Sequence, residues 1–316
     1  MGVLKLPWRV IKRPTTGLGG FVVGAFAWLV YWCSRWFPNK TRYRLFLVLA
    51  WAITLVWYGA KRRIIANLRL IRPDLDQKAL QQSCRENIKD LVLNWTEVFG
   101  RKQPDLEELK GRIEGARDLL RYYRCGRKIV VVFPHTGPIH ELASAVAALD
   151  VKVFVPPVAT PRLLFHLMAR LRRRYGDIEF ERIRKGETIE RCEAKLSEGR
   201  IVILAIDMLR PGGVPCKIGE AVGYFPVGPV RLALLGEAAV FPVFPFRDKE
   251  GRARLIIGEP FTLLRTGDLA ADTVVNTKRL VEGVYGQFLR NHCSTWWRLL
   301  WSKLSPAEEE KTLSKL

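Results

Sequence analysis

Residues 128–149 read KIVVVFPHTGPIHELASAVAAL, and the reading of this stretch decides the fold. Its first part, KIVVVF, is a short run of β-branched and aromatic residues, the composition of a strand buried on both faces. Beyond Pro134 and Gly137 the period changes, and apolar residues recur at helical spacing from Ile139 to Leu149. A buried strand turning directly into a helix is the opening half of a βαβ unit. The alternation continues downstream. KVFVP (152–156), IEFERI (178–183) and RIVILAID (200–207) read as strands, with helical stretches at 138–149, 161–174 and 187–198 between them. AAVFPVFPF (238–246) and RARLIIGEPF (252–261) are strands without an intervening helix, which predicts an antiparallel or mixed edge. A helix over 271–292 and a tryptophan-rich tail, WWRLLW (296–301), follow. The predicted fold is α/β, a mixed and largely parallel sheet flanked by helices.

Upstream the pattern is helical. KRRIIANLRLIRP carries an apolar stripe beside a basic face and stops at Pro73; Asp74 is placed to cap a second helix that runs to Gly100. Further back, residues 17–33 and 45–60 hold no charge at all. Lys5, Arg9, Lys12 and Arg13 precede them, Arg35, Lys40, Arg42 and Arg44 separate them, and Lys61, Arg62 and Arg63 follow. Trp28, Trp32, Trp36, Trp51 and Trp57 sit where an interfacial aromatic belt would lie. The reading is a membrane anchor: a spanning hairpin, one span with an interfacial helix, or two helices in one leaflet. A pair of buried core helices competes with it. The expected division is an anchor over 1–60, a basic helical region over 61–127 suited to an anionic membrane surface, and an α/β domain over 128–316.

Composition narrows the function. The chain of 316 residues has 52 Lys and Arg against 31 Asp and Glu, a net charge of +21, so an anionic partner is expected. With 48 % hydrophobic residues it is no disordered polyelectrolyte. Its six cysteines are scattered without metal-ligand spacing, which suits free thiols in a reducing cytoplasm. P-loop, GxGxxG, GxSxG and zinc patterns are absent, leaving nucleotide, flavin, serine-hydrolase and metal chemistry without support. The charge alone also fits a membrane-tethered, non-catalytic protein for anionic lipid or nucleic acid. However, no RNA- or DNA-binding pattern is visible, so no nucleic acid is expected.

With four histidines, the search for a general base is short. His135 stands just past the first strand, where α/β folds open a crevice beyond the carboxyl ends of their strands. Gly137 permits close approach, and the helix that follows adds its positive dipole end. Glu141 lies about one turn on and can orient the imidazole; a structural histidine is the competing reading. Asp207 ends a strong strand and reaches the same crevice, though a helix N-cap is an equal use for it. His166 and His292 read as structural.

HTGPIHEL after an apolar strand resembles the His-x4-Asp/Glu signature of glycerolipid acyltransferases. LRRRYGDIEF, the block IVILAIDMLRPGGVPCKIGEAVGYFPVGPVRLALLGEAAVFPVF, and NLRLIRPDL upstream are, in that order around the signature, similar to the bacterial lipid A biosynthesis (lauroyl/myristoyl) acyltransferase family. That family belongs to the lysophospholipid acyltransferase superfamily. The phosphatidylinositol mannoside acyltransferase is a relative. The resemblance covers about residues 60–300. It implies that Arg172 and Arg174 bind phosphate or stabilise an oxyanion, with Arg210 and Arg231 as weaker candidates, and that Asp207 and Glu220 shape the acceptor site. Each also suits a bland role, on a solvated basic helix or in a turn.

One spacing departs from the family. Position 140 is His, and Glu141 falls six residues after His135, about 100° too far around a helix. A bulge at Gly137-Pro138 that restores a Glu141–His135 contact is the favoured expectation; His140 in the acidic place, or a degenerate site, are the others. The resemblance implies an acyltransferase moving a fatty acyl group from acyl carrier protein or acyl-CoA to a lipid hydroxyl. It further implies no cofactor and no metal, and a catalytic domain on the cytoplasmic side of the inner membrane.

Overall fold

The computed structural model describes residues 36–38, 41, 44–45, 47–48, 51, 58–99, 106–156, 165–167, 169–170, 176–181, 183, 186–302 and 304–307. The apolar stretch at 17–33 lies outside these residues, as does most of 45–60. Among the described residues, no helix is long and apolar enough to cross a membrane.

The stretch KIVVVF forms β2 (Ile129–Phe133), the axis of a seven-stranded sheet. From edge to edge the sheet runs β1 (Ile113–Glu114), β9 (Ala253–Ile257), β8 (Ala239–Arg247), β2, β5 (Ile201–Ala205), β3 (Val153–Val155) and β4 (Ile178–Phe180). Its neighbours pair in parallel except β8 and β9, the antiparallel step expected where no helix intervenes. The alternating side chains of β2 enter two separate cores. Val130 and Val132 pack with Leu68, Ile88, Phe225 and Trp296 on one face, and Ile129 and Val131 with Leu119, Leu142 and Val146 on the other. This double burial explains why β2 is a continuous apolar run instead of an alternating one.

The first face is covered by α1 (Tyr58–Ile71) and α2 (Gln77–Phe99), the second by α4 (Ala116–Arg124) and α5 (Ile139–Ala147), with α3 (Leu106–Lys110) beside them. α1 ends before Pro73 as expected. The cap of α2, however, is Asp76, whose Oδ1 accepts from Ala79 N–H at 2.7 Å. Arg72 claims Asp74 instead, at 2.6 Å, which moves the helix start by two residues. α6 (Thr188–Ser197) and α7 (Gly228–Leu235) lead into β5 and β8.

A hairpin of β6 (Val214–Ile218) and β7 (Ala221–Phe225) was not legible in the sequence, because Gly212, Gly213, Pro215 and Gly219 read as turn punctuation. With β10 (Ser305–Pro306) it makes a small antiparallel sheet. The predicted C-terminal helix is split into α8 (Leu269–Lys278), a π-helical turn over Arg279–Tyr285, and α9 (Gly286–Asn291). The wide turn presents Tyr285 to the sheet. Its buried hydroxyl donates to Val132 O at 2.6 Å and accepts from Val243 N–H at 3.2 Å, tying β2 to β8 just below the site. Tyr285→Phe leaves both backbone groups short of a partner. It is expected to cost about 1–3 kcal/mol in urea unfolding while leaving secondary structure unchanged.

Candidate active site

Parallel register builds the site. Phe133 pairs with Ala205, so the residues two beyond each, His135 and Asp207, emerge side by side at the carboxyl ends of β2 and β5. His135 Nδ1 lies 2.5 Å from Asp207 Oδ1, and the His135 backbone N–H donates to Oδ2 at 2.7 Å. Trp296 Nε1–H donates to the same Oδ2 at 2.7 Å. Asp207 is wholly buried. Burial alone would raise its carboxyl pKa; the charge and hydrogen bonds of His135, with Arg298 behind them, outweigh burial and hold it below its ordinary value. An ionised carboxylate only accepts, so Nδ1 carries the proton and Nε2 is left with its lone pair. Among the described residues, Nε2 has no hydrogen-bond partner.

The tail fixes this loop from outside. Thr136 and Trp296 form an antiparallel bridge, Gly137 N–H donates to Thr295 O at 3.3 Å, and Trp297 N–H donates to His135 O at 3.2 Å. The Trp297 ring stands edge-on to the imidazole, centroids 4.8 Å apart. Thr136 Oγ1 donates to Pro245 O at 2.7 Å, and Gly137 has φ +52°. A Cβ on Gly137 would sit 2.9 Å from Phe246 Cα, so only glycine lets the loop press against the end of β8. The helices hold the tail in turn. Asn67 Nδ2 donates to Leu299 O at 2.8 Å and Ser302 O at 2.9 Å, and Asn87 Nδ2 donates to Trp296 O at 3.0 Å.

The structure corrects the expected partner of His135. The chain does kink at Gly137-Pro138, but Glu141 turns to Arg112, which also pairs with Glu108. Burial pushes the Glu141 carboxyl up, against the pull of Arg112. Nor does His140 take the place, for its ring faces Trp297 at 6.4 Å. The orienting acid comes from the neighbouring strand. Arg210 is exposed on the turn after Asp207. Glu220 lies at the far end of the β6–β7 hairpin, its N–H on Leu70 O, and is not brought together with His135. Arg231 is exposed on α7, and Arg172 and Arg174 lie outside the described residues. His292 packs on Phe288 and Phe246.

Sequence reasoning missed Arg112, Trp296, Trp297 and Arg298. The paired tryptophans of the tail were the available signal, since a fully buried indole needs an acceptor for its N–H. Thiol chemistry has little to work with here: burial pushes Cys192 up to about 12 and Cys293 up to about 11. Among the described residues, no three His, Cys, Asp or Glu side chains gather as a metal site.

A histidine oriented by a buried carboxylate, at the carboxyl ends of a parallel sheet, is the equipment of a group-transfer enzyme working through proton abstraction. The model of the bacterial lipid A biosynthesis acyltransferase family matches residues 14–300, and the chain belongs to that family. It is an acyltransferase, with a lipid acceptor and an acyl donor in general terms. Comparison with curated proteins finds no match.

Two substitutions separate the acids. Glu141→Gln is expected to lower stability by about 1–3 kcal/mol through its bond to Arg112, with turnover within a few-fold of wild type. Asp207→Asn should abolish most turnover. Because the native Asp207 pKa is depressed, its stabilisation is present above the ordinary carboxyl value of 3.8 and is lost as pH falls through the lower native value. Urea unfolding at stepped pH should therefore show wild type losing more stability on acidification than Asp207→Asn.

Proposed function

We propose that the protein transfers a fatty acyl group from an acyl thioester, acyl carrier protein or acyl-CoA, to a hydroxyl of a membrane lipid or glycolipid, with His135 as general base. The observation that carries this reading is the engagement of His135 Nδ1 by buried Asp207, which leaves Nε2 for the substrate. Nε2 takes the proton as the hydroxyl oxygen bonds to the thioester carbonyl carbon, and the carbonyl electrons move onto oxygen. As the carbonyl re-forms, the carbon–sulfur bond breaks and the leaving thiolate takes the proton back from Nε2. Asp207 stabilises the imidazolium in between and stays ionised throughout.

The positive end of α5 begins beside His135 and suits the developing oxyanion. By family resemblance, Arg172 and Arg174 serve the same charge. No covalent acyl-enzyme is required. Residues 1–60 anchor the protein in the inner membrane, with the catalytic domain toward the cytoplasm. The exposed Arg62, Arg63 and Arg69 of α1 meet anionic headgroups at about 1 kcal/mol each.

His135→Ala should reduce acyl transfer by ~10²-fold or more with the circular-dichroism spectrum unchanged, measured as thiol released from the donor. Retention of activity would overturn the mechanism. Deleting residues 1–60 should turn salt-resistant membrane binding into salt-sensitive binding through α1, read by vesicle flotation at low and high salt.

A further inference from the structure

The buried cations flanking the sheet are matched by carboxylates. Arg112 has Glu108 and Glu141, Arg247 has Asp90, Arg200 has Asp177 and Glu179, and Lys195 has Glu179 and Glu198. Arg298 is different. It lies in the short helical turn Trp297–Leu300, between the tryptophan against His135 and the backbone held by Asn67. Its side chain is largely buried, and burial lowers its pKa. Among the described residues no carboxylate lies at ion-pair distance from it and no oxygen accepts its protons; Nε is sealed from solvent without a partner.

Asp207 is the anion whose field it feels, but His135 and Trp296 already occupy that carboxylate. Three of the eight buried polar atoms without a partner among the described residues fall within Trp297–Ser302: Trp297 Nε1, Arg298 Nε and Ser302 Oγ. A guanidinium whose Nε is shut off from water and whose remaining N–H groups meet no acceptor among the described residues is costly to hold unless a ligand supplies one.

We propose that Arg298 receives a phosphate oxygen of the substrate and so places the reacting group at His135. This rests on the acyl-transfer reading above and names a substrate determinant within it. Phosphate is the chemistry favoured by the planar fork of a guanidinium, and the tail that carries Arg298 lies against the basic helix α1. Arg63 Nη1 there reaches Leu300 O at 3.4 Å. The phosphate belongs either to the headgroup of the acceptor lipid or to the pantetheine arm of the donor. Arg298 touches substrate but moves no proton.

The test uses the full chain in detergent with an acyl thioester, a phosphorylated lipid acceptor and the same lipid without phosphate. Arg298→Gln should raise the KM of the phosphate-bearing substrate roughly 10–100-fold, the range of a charge-assisted hydrogen bond, with a much smaller effect on kcat. Arg298→Lys should recover part of the loss, and removal of an exposed charge by Arg252→Gln should leave both KM values unchanged. A KM effect on the phosphorylated acceptor assigns the phosphate to the lipid, and one on the donor assigns it to pantetheine. Inorganic phosphate should compete with that substrate and raise the Tm of wild type but not of Arg298→Gln.

Unchanged KM for both substrates overturns the proposal. So does a rise in the acceptor KM of the same size with and without its phosphate, or a fall in kcat with a displaced pH profile and no rise in either KM, which would mean that Arg298 acts only through Asp207. Absence of phosphate competition in wild type overturns it even if the Gln variant fails to fold. Wild type that shows no His135-dependent transfer overturns the acyl-transfer reading instead, and the Tm response to phosphate then still decides whether Arg298 binds it.

Discussion

A carboxylate with no exposure to water is the constraint around which this molecule is arranged. Asp207 accepts from a backbone N–H, an imidazole and an indole, each contributed by a different part of the chain or a different group on it. Without those donors its burial would drive it neutral, and a neutral acid would hold Nδ1–H of His135 more weakly and carry no charge to balance an imidazolium. The sheet register brings the first two donors, and the tail brings the third. Asn67 and Asn87 then exist, in physical terms, to satisfy the backbone of that tail.

This hierarchy assigns different jobs to the two faces of the sheet. The face with α4 and α5 is an ordinary apolar core, where Ile129 and Val131 bury area and little else. The face with α1, α2 and the tail mixes apolar packing with directed hydrogen bonds from Asn67, Asn87 and Tyr285. Polar groups buried in this way fix a single arrangement because each alternative leaves one of them unsatisfied. The His135–Asp207 pair inherits its geometry from that face.

Much of this was legible in the sequence. The alternation around VVVF and VILA identified the parallel sheet, and the place of His135 after a strand put it at the carboxyl end of that sheet, where the structure has it. Its partner was misassigned because sequence distance is a poor guide across a parallel pair: Glu141 is near in the chain, whereas Asp207 is 72 residues away and adjacent in register. Arg112 was invisible for the same reason, lying 29 residues from Glu141 in a loop with no motif. The β6–β7 hairpin was hidden by glycines that look like a long turn. The two tryptophans of the tail carried no role in the sequence, whereas in the structure Trp296 donates to Asp207 and Trp297 stands edge-on to His135.

The clasp between Asn67 and the tail spans 232 and 235 residues of chain. Contacts so far apart in sequence are slow to form, since the intervening loop must be closed before they return any stabilisation. On the ribosome, α1, β2 and β5 emerge well before Trp296 does, and until it arrives the Asp207 carboxylate lacks its indole donor. The geometry around Asp207 is therefore a late product of biosynthesis. A nascent chain already displaying its basic helix still lacks the completed His135–Asp207 pair, and the turn around Trp296 sets when that geometry can form.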